Sequence, residues 1–178
     1  ILAIAAALSL TGSAAFAAEK MRISLQLPIT SHLGENLQLF EKEVESRTGG
    51  AIDVEIYASA TLYKDKEVPA AVGSGAIEAG VASLTRYVGD APVVDVFYMP
   101  FLFNTEDKVR SAVAEGSAVR ITLESEITKT GGSVLYWQAY GGAIMLSKGG
   151  AIKTPGDLEG KKVRVFGKTL GDFVTAAG

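Results

Sequence analysis

The residues in this chain that could do chemistry are few, and the most informative is Arg164, in the stretch Lys153-Thr-Pro-Gly-Asp-Leu-Glu-Gly-Lys-Lys-Val-Arg-Val-Phe-Gly167. A planar, permanently charged guanidinium on a rigid strand can hold a carboxylate through two parallel hydrogen bonds. A strand-surface arginine, solvated or paired with a nearby acid, is the competing reading. Catalytic constellations are scarce. The chain has one histidine, His32, and no cysteine, which removes thiol catalysis, Cys–His pairs, histidine clusters and Cys-ligated metals. A Ser-His-Asp triad would have to use His32, and there is no Gly-x-Ser-x-Gly elbow to go with it. No dinucleotide or Walker glycine pattern occurs between a strand and a helix. Asp53 with Glu55, and Glu41 with Glu43 and Glu45, fall on exposed faces and read as solvated surface. Binding is the chemistry left.

The elements around Arg164 follow from local rules. Thr154 can cap a helical turn that begins at Pro155, with Asp157 in the first turn and Gly160 placed to stop it. In Lys161–Phe166 a period of two puts Val163 and Val165 on one face of a strand, and Lys162, Arg164 and Phe166 on the other.

Upstream, strand and helix alternate. Met21, Ile23, Leu25 and Leu27 mark a strand, and Ser31 caps a helix with the stripe Leu33, Leu37, Phe40 and Val44 that ends at Gly49-Gly50. Ile52, Val54 and Ile56 mark a second strand, which the crossover makes parallel to the first. A helix is expected over about 65–75, with Pro69 tolerable only in or near its first turn. A short apolar segment follows at 79–84, then a core segment and packed loop over 93–103. A longer helix starts from Asn104 or Thr105 and is open to a break near Gly116. The segment 133–140 reads as a strand buried on both faces, and a last helix begins at Thr169 with Leu170, Phe173, Val174 and Ala177 on one side.

Open α/β sheets bind ligands outside the carboxyl ends of their strands. That nominates 26–31, 61–65, 83–87 and Tyr140. Gln26, Ser83 and Tyr140 are polar residues within apolar segments, each able to bond a ligand oxygen and each also readable as a satisfied core or loop residue. Arg86 is a candidate second cation, or a surface arginine.

Residues 1–17 read as a secretory leader: an apolar run from Ile1 to Leu10, a Thr11-Gly-Ser13 break and an Ala15-Phe-Ala17 cleavage site. The run is too short to span about 30 Å of hydrocarbon. Seventeen basic against twenty acidic residues give a net charge of -3, which argues against nucleic acid as a partner but not against an anionic small molecule.

The Thr-Pro-x-Asp-Leu-x-Gly turn and the basic-hydrophobic strand after it resemble the substrate-binding proteins of TRAP transporters, the DctP-like family. That resemblance covers residues 20–178 and implies a two-lobed α/β periplasmic-binding architecture without enzymatic activity or cofactor. It makes Arg164 the carboxylate anchor and raises the first-strand end, the Ser83 region and the hinge as ligand contacts. The expected organisation is a leader (1–17), a first α/β lobe (18–140), and a hinge crossover with the beginning of a second lobe (141–178). The hinge falls near 138–145, where Gly141-Gly142 and Lys148-Gly-Gly150 have the glycine density of a crossover. Because two similar lobes need well over 178 residues, the chain is expected to be the N-terminal part of a longer protein.

The function so implied is a monomeric periplasmic receptor that takes a small organic acid from solution and delivers it to integral membrane transporter subunits. A receptor for an ATP-driven importer or sensor kinase is the alternative of the same kind, and a secreted hydrolase using His32 is one of another kind. Several acid-binding members carry a further arginine after the hinge glycine. Here that place reads Gly142-Ala-Ile-Met145, so sialic acid is not an expected ligand.

Overall fold

Strand β1 (Glu19–Ser24) is the middle of a three-stranded parallel sheet. It lies between β2 (Ile52–Tyr57) and β3 (Ala79–Gly80) in a computed structural model that describes residues 17–142 and 144–178. Apart from Ala17, the expected leader lies outside the described residues. Met21 sits opposite Val54 and Ile23 opposite Ile56, so the alternating apolar residues of both strands share a face. Helix α1 (His32–Arg47) crosses between them, and its Leu33 and Leu37 are buried with Ile23, Leu25 and Val54. Ser31 starts this helix as expected, its hydroxyl oxygen accepting from the Gly34 N–H at 3.2 Å.

The first strand was expected to reach Leu27, and its regular ladder stops at Ser24. The chain leaving β2 curls over the end of β1 and takes up its remaining backbone groups. Leu25 donates to the Tyr57 carbonyl, while Ser59 and Ala60 donate to the carbonyls of Leu27 and Leu25. Both Ser59 and Ala60 adopt left-handed backbone, with φ of 55° and 56°, a conformation non-glycine residues rarely take.

Arg22 fastens the other edge. Its Nε and one terminal nitrogen reach the two Glu78 carboxylate oxygens at 2.9 and 2.7 Å, the same terminal nitrogen donates to the Ala76 carbonyl at 3.0 Å, and its backbone N–H adds a bond to Glu78. These hydrogen bonds pull the Glu78 carboxyl down to about 2. A folded value below the unfolded one stabilises the protein above about pH 5 and is lost as pH falls toward 2. Both side chains are more than a third exposed, so the effect is screened. Glu78→Gln is expected to lower the melting temperature by about 2–4 °C at pH 7 and to leave it unchanged near pH 2. A difference that persists at low pH would mean the carboxylate's charge is not what acts.

The helix expected over 65–75 is a 3-10 turn (Asp65–Glu67) followed by α2 (Val68–Gly73), and Pro69 lies in the first turn of α2 as it must. It ends where two backbones touch: a Cβ on Gly73 would lie 2.3 Å from the Thr130 carbonyl oxygen. Helices α3 (Glu106–Val113) and α4 (Ala118–Thr128) are separated at Gly116, and Thr105 and Ser117 cap them through the N–H groups of Lys108 and Arg120.

A second core forms around Ala91, Val94, Leu123 and Ile127, where α4 packs on the 3-10 segment Pro92–Tyr98. The 93–103 stretch is most deeply buried at Val94, and Phe103 folds back to meet the Phe97 ring at 4.5 Å. Phe101 is 78% exposed, and Met99 and Leu102 are exposed with it.

Two expected strands are absent from the described residues. Segments 133–140 and 161–166 make no ladder, and 133–140 is not buried on both faces, with Leu135, Tyr136 and Tyr140 exposed. Strands exist through hydrogen-bonded neighbours, and no described strand lies beside either segment. The facing of the second survives: Val163 and Val165 are half-buried while Lys162, Arg164 and Phe166 are exposed. Helix α5 (Lys168–Ala177) then closes the chain.

Candidate functional site

The order β2-β1-β3 sends the chain to one side of β1 and then to the other, so the carboxyl ends of β1 and β3 flank a topological switch point. Ser24, at the end of β1, is fully buried. Its hydroxyl donates to the Tyr63 carbonyl at 3.0 Å and accepts from the Tyr63 N–H at 3.2 Å. This two-way bond satisfies a buried polar group and pins the loop before Asp65.

Asp65 then organises two of the predicted residues. Its Oδ1 accepts from the Ser83 N–H at 3.0 Å, and its Oδ2 accepts from Arg86 Nε at 2.6 Å. Arg86 therefore directs part of its charge into the protein rather than standing as a free cation. The pair is partly buried, with 34% of the Arg86 side chain and 18% of the Asp65 side chain exposed. Burial pushes the nearby Tyr98 phenol up, and the charges of Asp65 and Asp95 add to the rise. Tyr98 is therefore a neutral hydroxyl at neutral pH.

Gln26 is half-buried, and its Oε1 is enclosed with no partner among the described residues. Tyr140 is 61% exposed and meets His32, the first residue of α1, edge to face at 5.4 Å. Among the described residues no hydrogen bond or ion pair links Gln26 or Tyr140 to the Asp65 group.

Arg164 stands apart. Its guanidinium carbon lies 4.3 Å from the centre of the Phe166 ring, and no carboxylate among the described residues is within ion-pair distance. Stacking on an aromatic face fixes the plane of the fork and leaves its N–H edges available. The turn before it is a 3-10 turn (Pro155–Leu158) with Thr154 at its N-cap as expected, in a capping box with Asp157. Asp157 accepts from the N–H groups of Lys153 and Thr154 at 2.9 and 2.8 Å, and the Thr154 hydroxyl donates to it at 3.0 Å. Those backbone bonds hold the Asp157 carboxyl below its ordinary range. Leu158 is buried, and Gly160 ends the turn with a φ of 68°.

Two hollows of about 350 and 390 Å³ lie elsewhere. The first sits against α1 and Tyr136, the second between 161–165 and α5, and none of Gln26, Ser83, Arg86, Tyr140 or Arg164 lines either. The structure thus joins Ser83 to Arg86 through Asp65 and keeps Gln26, Tyr140 and Arg164 separate. Asp65 was legible only as part of the 61–65 loop after the second strand. That its carboxylate takes Ser83 and Arg86 together is a contact across 18 and 21 residues, which no local pattern records.

Comparison with known proteins agrees with this frame. A solute-binding protein of Verminephrobacter eiseniae is 32% identical over 149 residues, 82% of this chain and 43% of its own length. The C4-dicarboxylate-binding periplasmic protein DctP of Rhodobacter capsulatus is 31% identical over 134 residues, 74% of this chain and 39% of its own. The chain thus spans less than half the length of these curated relatives. A TRAP periplasmic solute-binding protein from Polaromonas, crystallised with D-erythronate, has the same fold with a TM-score of 0.82 at 24% identity, over 90% of this chain and 52% of that one. The sequence profile of the bacterial extracellular solute-binding proteins of family 7, DctP, matches residues 23–178. The α/β architecture is accordingly that of a two-lobed periplasmic binding protein, and the chain belongs to the DctP family of bacterial extracellular solute-binding proteins.

Proposed function

We propose that the protein is the periplasmic receptor of a TRAP-type transporter and captures a small carboxylate between two lobes joined by a hinge near 138–145. The observation that carries this reading is Arg164, a guanidinium exposed, stacked on Phe166 and free of any carboxylate partner among the described residues. A permanent cation held in one plane and left unpaired fits an anion that comes from outside. The name of the Rhodobacter relative, a C4-dicarboxylate binder, supports a short organic acid.

In this reading Arg164 grips the carboxylate from the second lobe, Gln26 and Ser83 hold the remainder from the first, Tyr140 contributes at the hinge, and Arg86 is a further cation oriented by Asp65. Ligand bonds from both lobes exist together only when the cleft is closed, so affinity and closure draw on one free energy. Residues 1–17 export the protein, which works as a monomer and passes its cargo to integral membrane subunits.

A thermal-shift screen of the whole protein against short mono- and dicarboxylates tests the reading. A true ligand at about 100 times its dissociation constant stabilises by about 2.7 kcal/mol, a rise of several degrees in melting temperature. A panel in which no carboxylate raises the melting temperature would overturn it.

A further inference from the structure

Helix α5 begins without a cap of its own. Its N-cap is Gly167, which has no side chain to offer, yet the first turn of a helix carries N–H groups that need an acceptor and a positive end that favours a carboxylate. The carboxylate arrives from the other lobe. Asp95, on the 3-10 segment Pro92–Tyr98, accepts the Thr169 hydroxyl at its Oδ2. Its Oδ1 is enclosed without a partner among the described residues and lies 3.9 Å from where a Cβ on Gly167 would stand. The Thr85 methyl is 3.4 Å from that same point. With a φ of 152°, position 167 is held by backbone conformation to glycine, and Thr85 and Asp95 lie at ordinary contact distance from it.

Asp95 rests on a firm base, because Val94 beside it is fully buried against α4. Phe101, from the same part of the first lobe, meets Phe173 of α5 edge to face at 5.9 Å. Thr169 and Phe173 are four residues apart and so lie on one face of the helix. Two points along a single face of α5 therefore touch the first lobe, one polar and one aromatic.

We propose that Asp95 is a positioning residue which holds the first turn of α5 against the first lobe through the Thr169 hydroxyl, and so sets how readily the cleft closes. The proposal rests on the two-lobed receptor reading but touches no ligand. Opening the cleft breaks the Asp95–Thr169 bond and separates Phe101 from Phe173, so the contact biases the protein toward its closed form before any solute binds.

The test reads closure without ligand. This chain has no cysteine, so spin labels at Glu115→Cys and Glu159→Cys in the whole protein report the distance between lobes by pulsed electron resonance. Asp95→Ala and Thr169→Val are each expected to lengthen and broaden that distance, cutting the short-distance population about threefold. Thr169→Val keeps shape and removes only the hydroxyl donor, and it decides the matter alone if Asp95→Ala fails to fold. Distributions that superimpose on the parent's would overturn the proposal. A shift in the variants alongside a carboxylate screen without hits would instead leave the latch standing and remove the receptor reading.

Discussion

Arg164→Ala is expected to weaken the proposed binding of short carboxylates by more than about tenfold in titration calorimetry on the whole protein, with Arg164→Lys recovering little of the loss. Truncating one partner of a desolvated charge pair costs about 2–5 kcal/mol, much of it the penalty on the partner left behind, and each 1.4 kcal/mol is about a factor of ten. Lysine keeps the charge but loses the two-pronged geometry and the flat face that lies 4.3 Å from the Phe166 centre. Neither variant should disturb folding, since Arg164 is exposed and makes no ion pair among the described residues. Unchanged affinity in both, with the protein folded, would remove Arg164 from the site and with it the strongest support for a carboxylate ligand.

The second large effect is structural and acts where α1 meets the turn after β1. Gly34→Ala is expected to destabilise by about 2–3 kcal/mol, the upper part of the range for overpacking. An added Cβ would lie 2.1 Å from the Ile29 carbonyl oxygen and 2.5 Å from its carbon. Backbone cannot swing aside as the end of a side chain can. Alanine would gain about 1 kcal/mol of helix propensity over glycine, and the clash outweighs it. Relief requires either α1 or the turn at 28–31 to move. Leu33 and Leu37 hold α1 in the core, so the turn must give, although a Ser31-to-Pro28 backbone bond closes it. Urea denaturation measures the outcome, and a midpoint at or above the parent's would mean that the turn moves freely.

The elements from β1 to α4 were readable from sequence because their signals are local. Alternation in 19–27 and 52–57, the cap at Ser31 and the break near Gly116 each depend on neighbours within a few residues. Their boundaries moved where distant chain intervened, as when Ser59 and Ala60 claimed the carbonyls beyond Ser24. The strands at 133–140 and 161–166 failed for a related reason. A period of two in Val163–Phe166 predicts which way side chains face, and they do face that way, but the ladder belongs to a partner strand that the pattern does not contain. For the site, residue types pointed to Arg164, Gln26, Ser83, Arg86 and Tyr140. The roles of Asp65 and Asp95 emerge only in the fold, because an acid that orients an arginine or bonds a threonine of a distant helix has no spacing to announce it.

The crossover after α4 carries an indole. Trp137 donates its ring N–H to Glu124 Oε1 at 2.8 Å, in the company of Arg120, and packs at the edge of the second core. It is the chain's single tryptophan, only a few residues before the glycines at 141 and 142. Any bending there would change the field and solvent around one fluorophore, so within this chain the colour of its ultraviolet emission would report directly on the hinge proposed near 138–145.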